Sequence, residues 1–124
     1  MKRILIVDDD FLVRDMLERL MRKARYDTET AENGARAMAL HRKHPVDLVI
    51  KDIRMPGREG LDPVAEFRTS APGVKIIAVS GGGRIDSSRS LRTAPLGADR
   101  TFVKPVDTAQ LLSAVEELTS SPAT

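Results

Sequence analysis

The chain has no cysteine and no tryptophan, and its only aromatic residues are three Phe and one Tyr in 124 residues. Without cysteine there can be no disulfide and no thiolate metal site, and a reducing compartment suits the chain. No apolar stretch approaches the ~18 residues that a membrane-spanning helix needs. Met1-Lys2-Arg3 leads into only four aliphatics before acidic residues, too few for a secretory signal. The expectation is a cytoplasmic protein without a membrane segment. A strong excess of one charge is also missing: 20 Lys+Arg stand against 18 Asp+Glu, a formal net charge of +2. Arg14, Arg19, Arg22, Lys23 and Arg25 fall along one predicted helix, with no aromatic-basic interleaving. They read as a solvated basic face, so direct nucleic-acid binding is not expected.

What is present is an alternation of aliphatic runs and helical patterns within one domain's length. Residues 3–7, with Ile4-Leu5-Ile6-Val7, read as a buried parallel strand. Val13, Met16, Leu17, Leu20, Met21 and Ala24 follow the spacing of one amphipathic helix face. Tyr26–Ala31 reads as a second strand. Asn33 caps a helix to about Lys43, with Ala35, Met38 and Ala39 expected inward, and His44-Pro45 stops it. Asp47–Asp52 is a third strand and Met55-Pro56-Gly57 a loop. Asp62-Pro63 looks like the start of a helix, with Leu61, Val64 and Phe67 on its buried side. Lys75–Ser80 is a fourth strand, followed by the glycine loop 81–83 and a weak helix between Ile85 and about Thr93. Asp99–Val103 is a fifth strand. Asp107 caps a last helix whose Leu111, Leu112, Val115 and Leu118 form a stripe. The reading is a (βα)5 α/β domain over residues 1–118 with a tail at 119–124. Such alternation implies a doubly wound parallel sheet covered on both faces, with right-handed crossovers.

The carboxyl ends of the predicted strands carry the chemistry. The first delivers Asp8, Asp9 and Asp10, the third Asp52, the fourth Ser80 and the fifth Lys104. In open α/β sheets this edge binds ligands. Crowded carboxylates repel one another unless a cation or proton intervenes. Hard carboxylate oxygens suit Mg²⁺, and a carboxylate can be a nucleophile toward phosphorus. Phosphoryl transfer also needs positive charge around the equatorial oxygens, which Lys104 could supply.

This ordered set resembles the receiver domains of bacterial two-component response regulators. The resemblance rests on Ile4–Val7 followed by Asp8-Asp9, Asp52 with Met55-Pro56-Gly57 downstream, Ser80 after Ala78-Val79, and Gly97-Ala98-Asp99 leading to Lys104-Pro105. It covers residues 2 to about 118. It implies a flavodoxin-like sheet of strand order 2-1-3-4-5, with Asp52 as phosphoacceptor and Asp8 and Asp9 as an acidic Mg²⁺ pair. Arg14, five residues after Asp9, supports that alignment and leaves Asp10 outside the pair as a helix cap or solvated neighbour. The backbone carbonyl of Arg54 is implied as a further metal ligand. Ser80 and Lys104 are implied to meet the phosphoryl group, and Pro105 to follow a cis peptide bond. The implied donor is a sensor histidine kinase or phosphotransfer protein. The implied output is a partner protein or output domain read through the fourth predicted helix, fifth strand and last helix. No turnover of a separate metabolic substrate is expected beyond self-phosphorylation and self-dephosphorylation.

The chain departs from the family at Thr101, where a switching Tyr or Phe is usual. Phe102, next to it, is expected on the opposite sheet face. Lys51, just before Asp52, is an unusual charge that either snorkels to the rim or tunes the site. Arg54 and Gly82 occupy variable positions. Two other readings stay open at this level. One is a Mg²⁺-dependent phosphatase using Asp8 as nucleophile and Asp10 as acid/base. The other is a degenerate receiver that only binds partners. The chain reads either as a stand-alone regulator or as a fragment of a longer protein.

Overall fold

In the computed structural model the described residues are 1–53, 69–80 and 98–120. They contain five strands: β1 (Arg3–Val7), β2 (Asp27–Ala31), β3 (Leu48–Ile53), β4 (Lys75–Ser80) and β5 (Arg100–Val103). Three helices are described: α1 (Phe11–Lys23), α2 (Gly34–Lys43) and a C-terminal helix, α3 (Thr108–Ser120). The helices expected from Asp62 and from Ile85 fall on residues outside this set, apart from a helical end at Thr69 and Ser70.

The strands form one sheet in the order β2-β1-β3-β4-β5, every neighbouring pair parallel. Strand alternation sorts the aliphatics onto two faces. Leu5, Val7, Val49, Ile76 and Ala78 pack with Ala37 of α2 on one face. Ile4, Ile6, Leu48, Ile50, Ile77 and Val79 pack with Leu17 and Met21 of α1 and Leu111, Ala114 and Val115 of α3 on the other. Burial on both faces explains why these strands read as continuous aliphatic runs. Each Val, Leu, Ile or Met side chain so removed from water contributes about 1.5–3 kcal/mol.

The helix ends are built from local chemistry. Asp10 Oδ1 accepts from Leu12 N at 2.9 Å, so Asp10 is the N-cap of α1. Asn33 Oδ1 accepts from Arg36 N at 2.8 Å and caps α2. Asp107 Oδ1 accepts from Gln110 N at 3.1 Å at the start of α3. α1 closes with Tyr26 N donating to Met21 O at 3.0 Å and Arg25 N to Arg22 O at 2.9 Å. This is the Schellman arrangement, and it places Arg25 at φ 74°, a left-handed position that usually takes glycine.

Several expectations need correction. In α2 the buried alanine is Ala37, while Ala35 and Ala39 are exposed and Met38 is only partly covered. In α1 Leu17 and Met21 are buried and Val13 and Leu20 pack against the same cluster, as expected, but Met16 is 49 % exposed and Ala24 is also outside the core. Tyr26 belongs to the turn after α1, not to β2. α3 continues through Thr119, which is buried and donates its hydroxyl to Val115 O at 2.7 Å.

Candidate functional site

The sheet order decides which strand ends meet. β1 lies between β2 and β3, so Val7 is level with Lys51 and the next residues, Asp8 and Asp52, emerge side by side. In a sheet of this order the crevice between β1 and β3 is the topological switch point, where the flanking connections diverge.

Asp8 is held firmly. Its backbone N donates to Ala31 O at 3.1 Å, and its Oδ1 accepts from Asp10 N at 2.8 Å. Its carbonyl accepts from Arg14 Nη1 at 2.9 Å. Only 3 % of its side chain is exposed. Lys104, at the end of β5, reaches across the crevice. Its Nζ lies 3.0 Å from Asp52 Oδ1 and 3.4 Å from Asp8 Oδ2. Its backbone N donates to Ser80 O at 2.8 Å, tying the ends of β4 and β5 together. The Lys104–Pro105 peptide bond is cis. Ser80 is buried at the end of β4, level with Ile53 and Val103.

Asp8, Asp9 and Asp52 can each offer a carboxylate oxygen within 4.8 Å of the others. Asp52 Oδ1 is buried and faces the Lys104 ammonium without being aligned for a hydrogen bond. Burial first, and then the Asp8 and Asp9 charges, push the Asp52 carboxyl above the usual carboxylate range, against the pull of Lys104. Burial alone would lower the Lys104 ammonium, but Asp52 and Asp8 outweigh it and hold its pKa above the ordinary lysine value. Two carboxylates, Asp52 and Asp8, therefore share one ammonium, with Asp9 close beside them. A compact set of hard oxygens with a buried, unaligned Oδ1 fits a small divalent cation such as Mg²⁺.

The structure brings Asp8, Asp9, Asp52 and Lys104 together and puts Ser80 on the adjoining strand end. Thr101 is exposed on β5, level with Ala78. Phe102 sits on the other face, packed against the α1 and α3 cluster, as alternation requires. Lys51 is level with Val7 and Ala78, on the face opposite Asp52, and is partly buried there. Arg54 and Gly82 lie outside the described residues. The Asp10 Oδ1 serves as the N-cap of α1, which gives that carboxylate a structural role outside the acidic pair. Sequence reasoning missed what Arg14 touches. It was legible only as a spacing, because its partner is a main-chain carbonyl.

The chain has known relatives along nearly its whole length. The chain is 35 % identical over 121 residues to the transcriptional regulatory protein AruR of Pseudomonas aeruginosa, covering 94 % of this chain and 48 % of that protein. It thus spans about half of AruR's length. It is 30 % identical over 116 residues to sporulation initiation phosphotransferase F of Bacillus subtilis, covering 94 % and 92 % of the two chains. Among solved structures, the response regulator protein TrrA from Thermotoga maritima in complex with Mg(2+)-BeF superposes with a TM-score of 0.76 at 35 % identity, covering 95 % of this chain and 99 % of that one. The family model for the response regulator receiver domain matches residues 4–116. The chain belongs to the response regulator receiver domain family, the phosphorylation-dependent signalling modules of two-component systems.

Proposed function

We propose that this domain accepts a phosphoryl group on Asp52 from a histidine kinase or phosphotransfer protein. The observation that carries the reading is the Asp52 carboxylate itself. It is buried at the end of β3, 3.0 Å from the Lys104 ammonium. It also lies within a 4.8 Å cluster with Asp8 and Asp9. An Asp52 oxygen attacks phosphorus, and the bond from phosphorus to the donor breaks as the acyl phosphate forms. The incoming phosphoryl adds negative charge where two carboxylates already stand, so the step needs positive charge in place. Lys104 supplies one such charge. Mg²⁺ held by Asp8, Asp9 and Asp52, with the Arg54 carbonyl as a further ligand, would neutralise the rest.

The output follows from differential contacts. A phosphoryl group carries about two negative charges and several acceptor oxygens in place of one carboxylate charge. Lys104 gains a stronger partner, and the Ser80 hydroxyl gains an acceptor. Both residues are joined through the Lys104 N to Ser80 O hydrogen bond, so a shift at one is felt at the end of the other's strand. The bias passes to β5 and α3 and to the helix expected before β5, the surface we assign to a partner or output domain. With Thr101 in place of an aromatic, Ser80 and Lys104 carry the switch.

The test is chemical. Incubation with Mg²⁺ and acetyl phosphate, followed by intact mass, should show one added phosphoryl group. The adduct should vanish in Asp52→Asn. Loss of labelling in Asp8→Asn with Asp52→Asn still labelled would overturn the assignment of Asp52. Absence of any adduct would make the domain a binding module only.

A further inference from the structure

Arg14 stands at the start of α1, within a helical turn of the acidic loop, yet among the described residues it pairs with no carboxylate. Its Nη1 donates to the Asp8 carbonyl at 2.9 Å. Its guanidinium lies over the Phe11 ring, 5.7 Å from the centroid. Its backbone N donates to Asp10 O at 3.0 Å, which fixes where its side chain begins. This choice of partners is unexpected. A fork-shaped guanidinium binds a carboxylate more strongly than a neutral carbonyl. Phe11 is unusual as well, because 66 % of it is exposed and it contributes nothing to the core side of α1. Each oddity accounts for the other: the ring gives the guanidinium a resting place that is not a carboxylate.

We propose that Phe11 and Arg14 form a clamp that positions the acidic loop for a divalent cation. This rests on the reading of Asp8, Asp9 and Asp52 as a Mg²⁺ site and adds two positioning residues to it. The clamp has two effects. The hydrogen bond to the Asp8 carbonyl anchors the peptide between Asp8 and Asp9, and with it the direction of both side chains. The stacking on Phe11 keeps the guanidinium from swinging onto Asp9, where it would compete with the metal. A binding site closed part of the time by an internal ion pair loses affinity in proportion to the closed fraction.

The experiment is a double-mutant cycle on Phe11→Leu and Arg14→Met, with Mg²⁺ affinity read from the rise of the thermal midpoint with Mg²⁺ concentration. Phe11→Leu is expected to weaken Mg²⁺ binding about two- to fivefold, the scale of an exposed cation–π contact. In the Arg14→Met background the same substitution is expected to leave the affinity unchanged, because the cation it controls is gone. An affinity unaffected by Phe11→Leu, or lowered equally in both backgrounds, overturns the clamp. A wild-type midpoint that does not respond to Mg²⁺ overturns the cation site and the clamp together. That outcome is distinct from the first two, in which wild-type protein binds Mg²⁺ and forms the Asp52 adduct normally.

Discussion

The Lys104 ammonium lies 3.0 Å from Asp52 Oδ1 and 3.4 Å from Asp8 Oδ2, so one cation bridges two buried carboxylates from different strands. The bridge is under-compensated, and the two sides of it respond to substitution with opposite signs.

Neutralising Asp52 relieves the crowding. Its folded pKa is raised, so the folded state binds protons more readily than the unfolded chain above the ordinary carboxylate pKa. Stability is therefore lost as pH rises from that value through the raised one, and the loss persists at neutral pH. Asp52→Asn is expected to raise the thermal midpoint at pH 7 by about 2–5 °C in metal-free buffer. The gain should shrink when Mg²⁺ is added to both proteins. A midpoint lowered by Asp52→Asn would contradict this account.

Removing Lys104 does the reverse. Lys104→Met leaves Asp8 and Asp52 facing each other and is expected to cost about 1–3 kcal/mol in denaturant unfolding, discounted for the partial exposure of the lysine. Mg²⁺ should recover part of that loss. In the wild type the lysine's contribution is complete below the ordinary lysine pKa and disappears as pH climbs through its raised folded value. Alkaline titration of Lys104→Met should accordingly lack that component.

His41 gives the fold a separate acid-side sensitivity. Its Nδ1 accepts from Val46 N at 3.1 Å, which fixes the neutral ring with its proton on Nε2. Burial lowers its pKa. The unfolded chain then takes up a proton first, so stability falls as pH drops from the ordinary histidine pKa through the lowered folded value. Circular dichroism melts between pH 7 and 5 should show a smaller decline in His41→Gln, whose amide oxygen can still accept from Val46 N.

Arg25 holds a left-handed conformation at φ 74°. A Cβ there costs about 1–2 kcal/mol, partly offset in glycine by the entropy of its unfolded state. Arg25→Gly is expected to stabilise by up to about 1 kcal/mol, read as a higher denaturant midpoint with an unchanged slope. A loss of stability would show that the guanidinium makes a compensating contact.

Much of this molecule is legible along the chain because the signals are local. The caps Asp10, Asn33 and Asp107 are each read from a side chain and the amide two or three residues on. Period-two alternation alone puts Phe102 on the sheet face opposite Thr101. The alanines of α2 show where that logic fails. Ala35, Ala37 and Ala39 are chemically identical, so only the docking of the helix on Leu5 and Val7 selects Ala37. Arg25 gave no turn signal because the signal for its conformation is glycine. Arg14 could be counted but not interpreted, since a main-chain carbonyl carries no mark in the sequence.

The sequence by itself determined the alternation of strands and helices and the polar or charged residues at the ends of four of the strands, because hydrophobic period and capping depend on near neighbours. Only the tertiary structure decided that Lys104 bridges Asp8 and Asp52, and that Arg14 turns to a carbonyl and a ring. Those outcomes depend on which strands share a ladder and which charges are buried together. Both are set by covering two faces of one sheet at once, a condition that no short window of the chain contains.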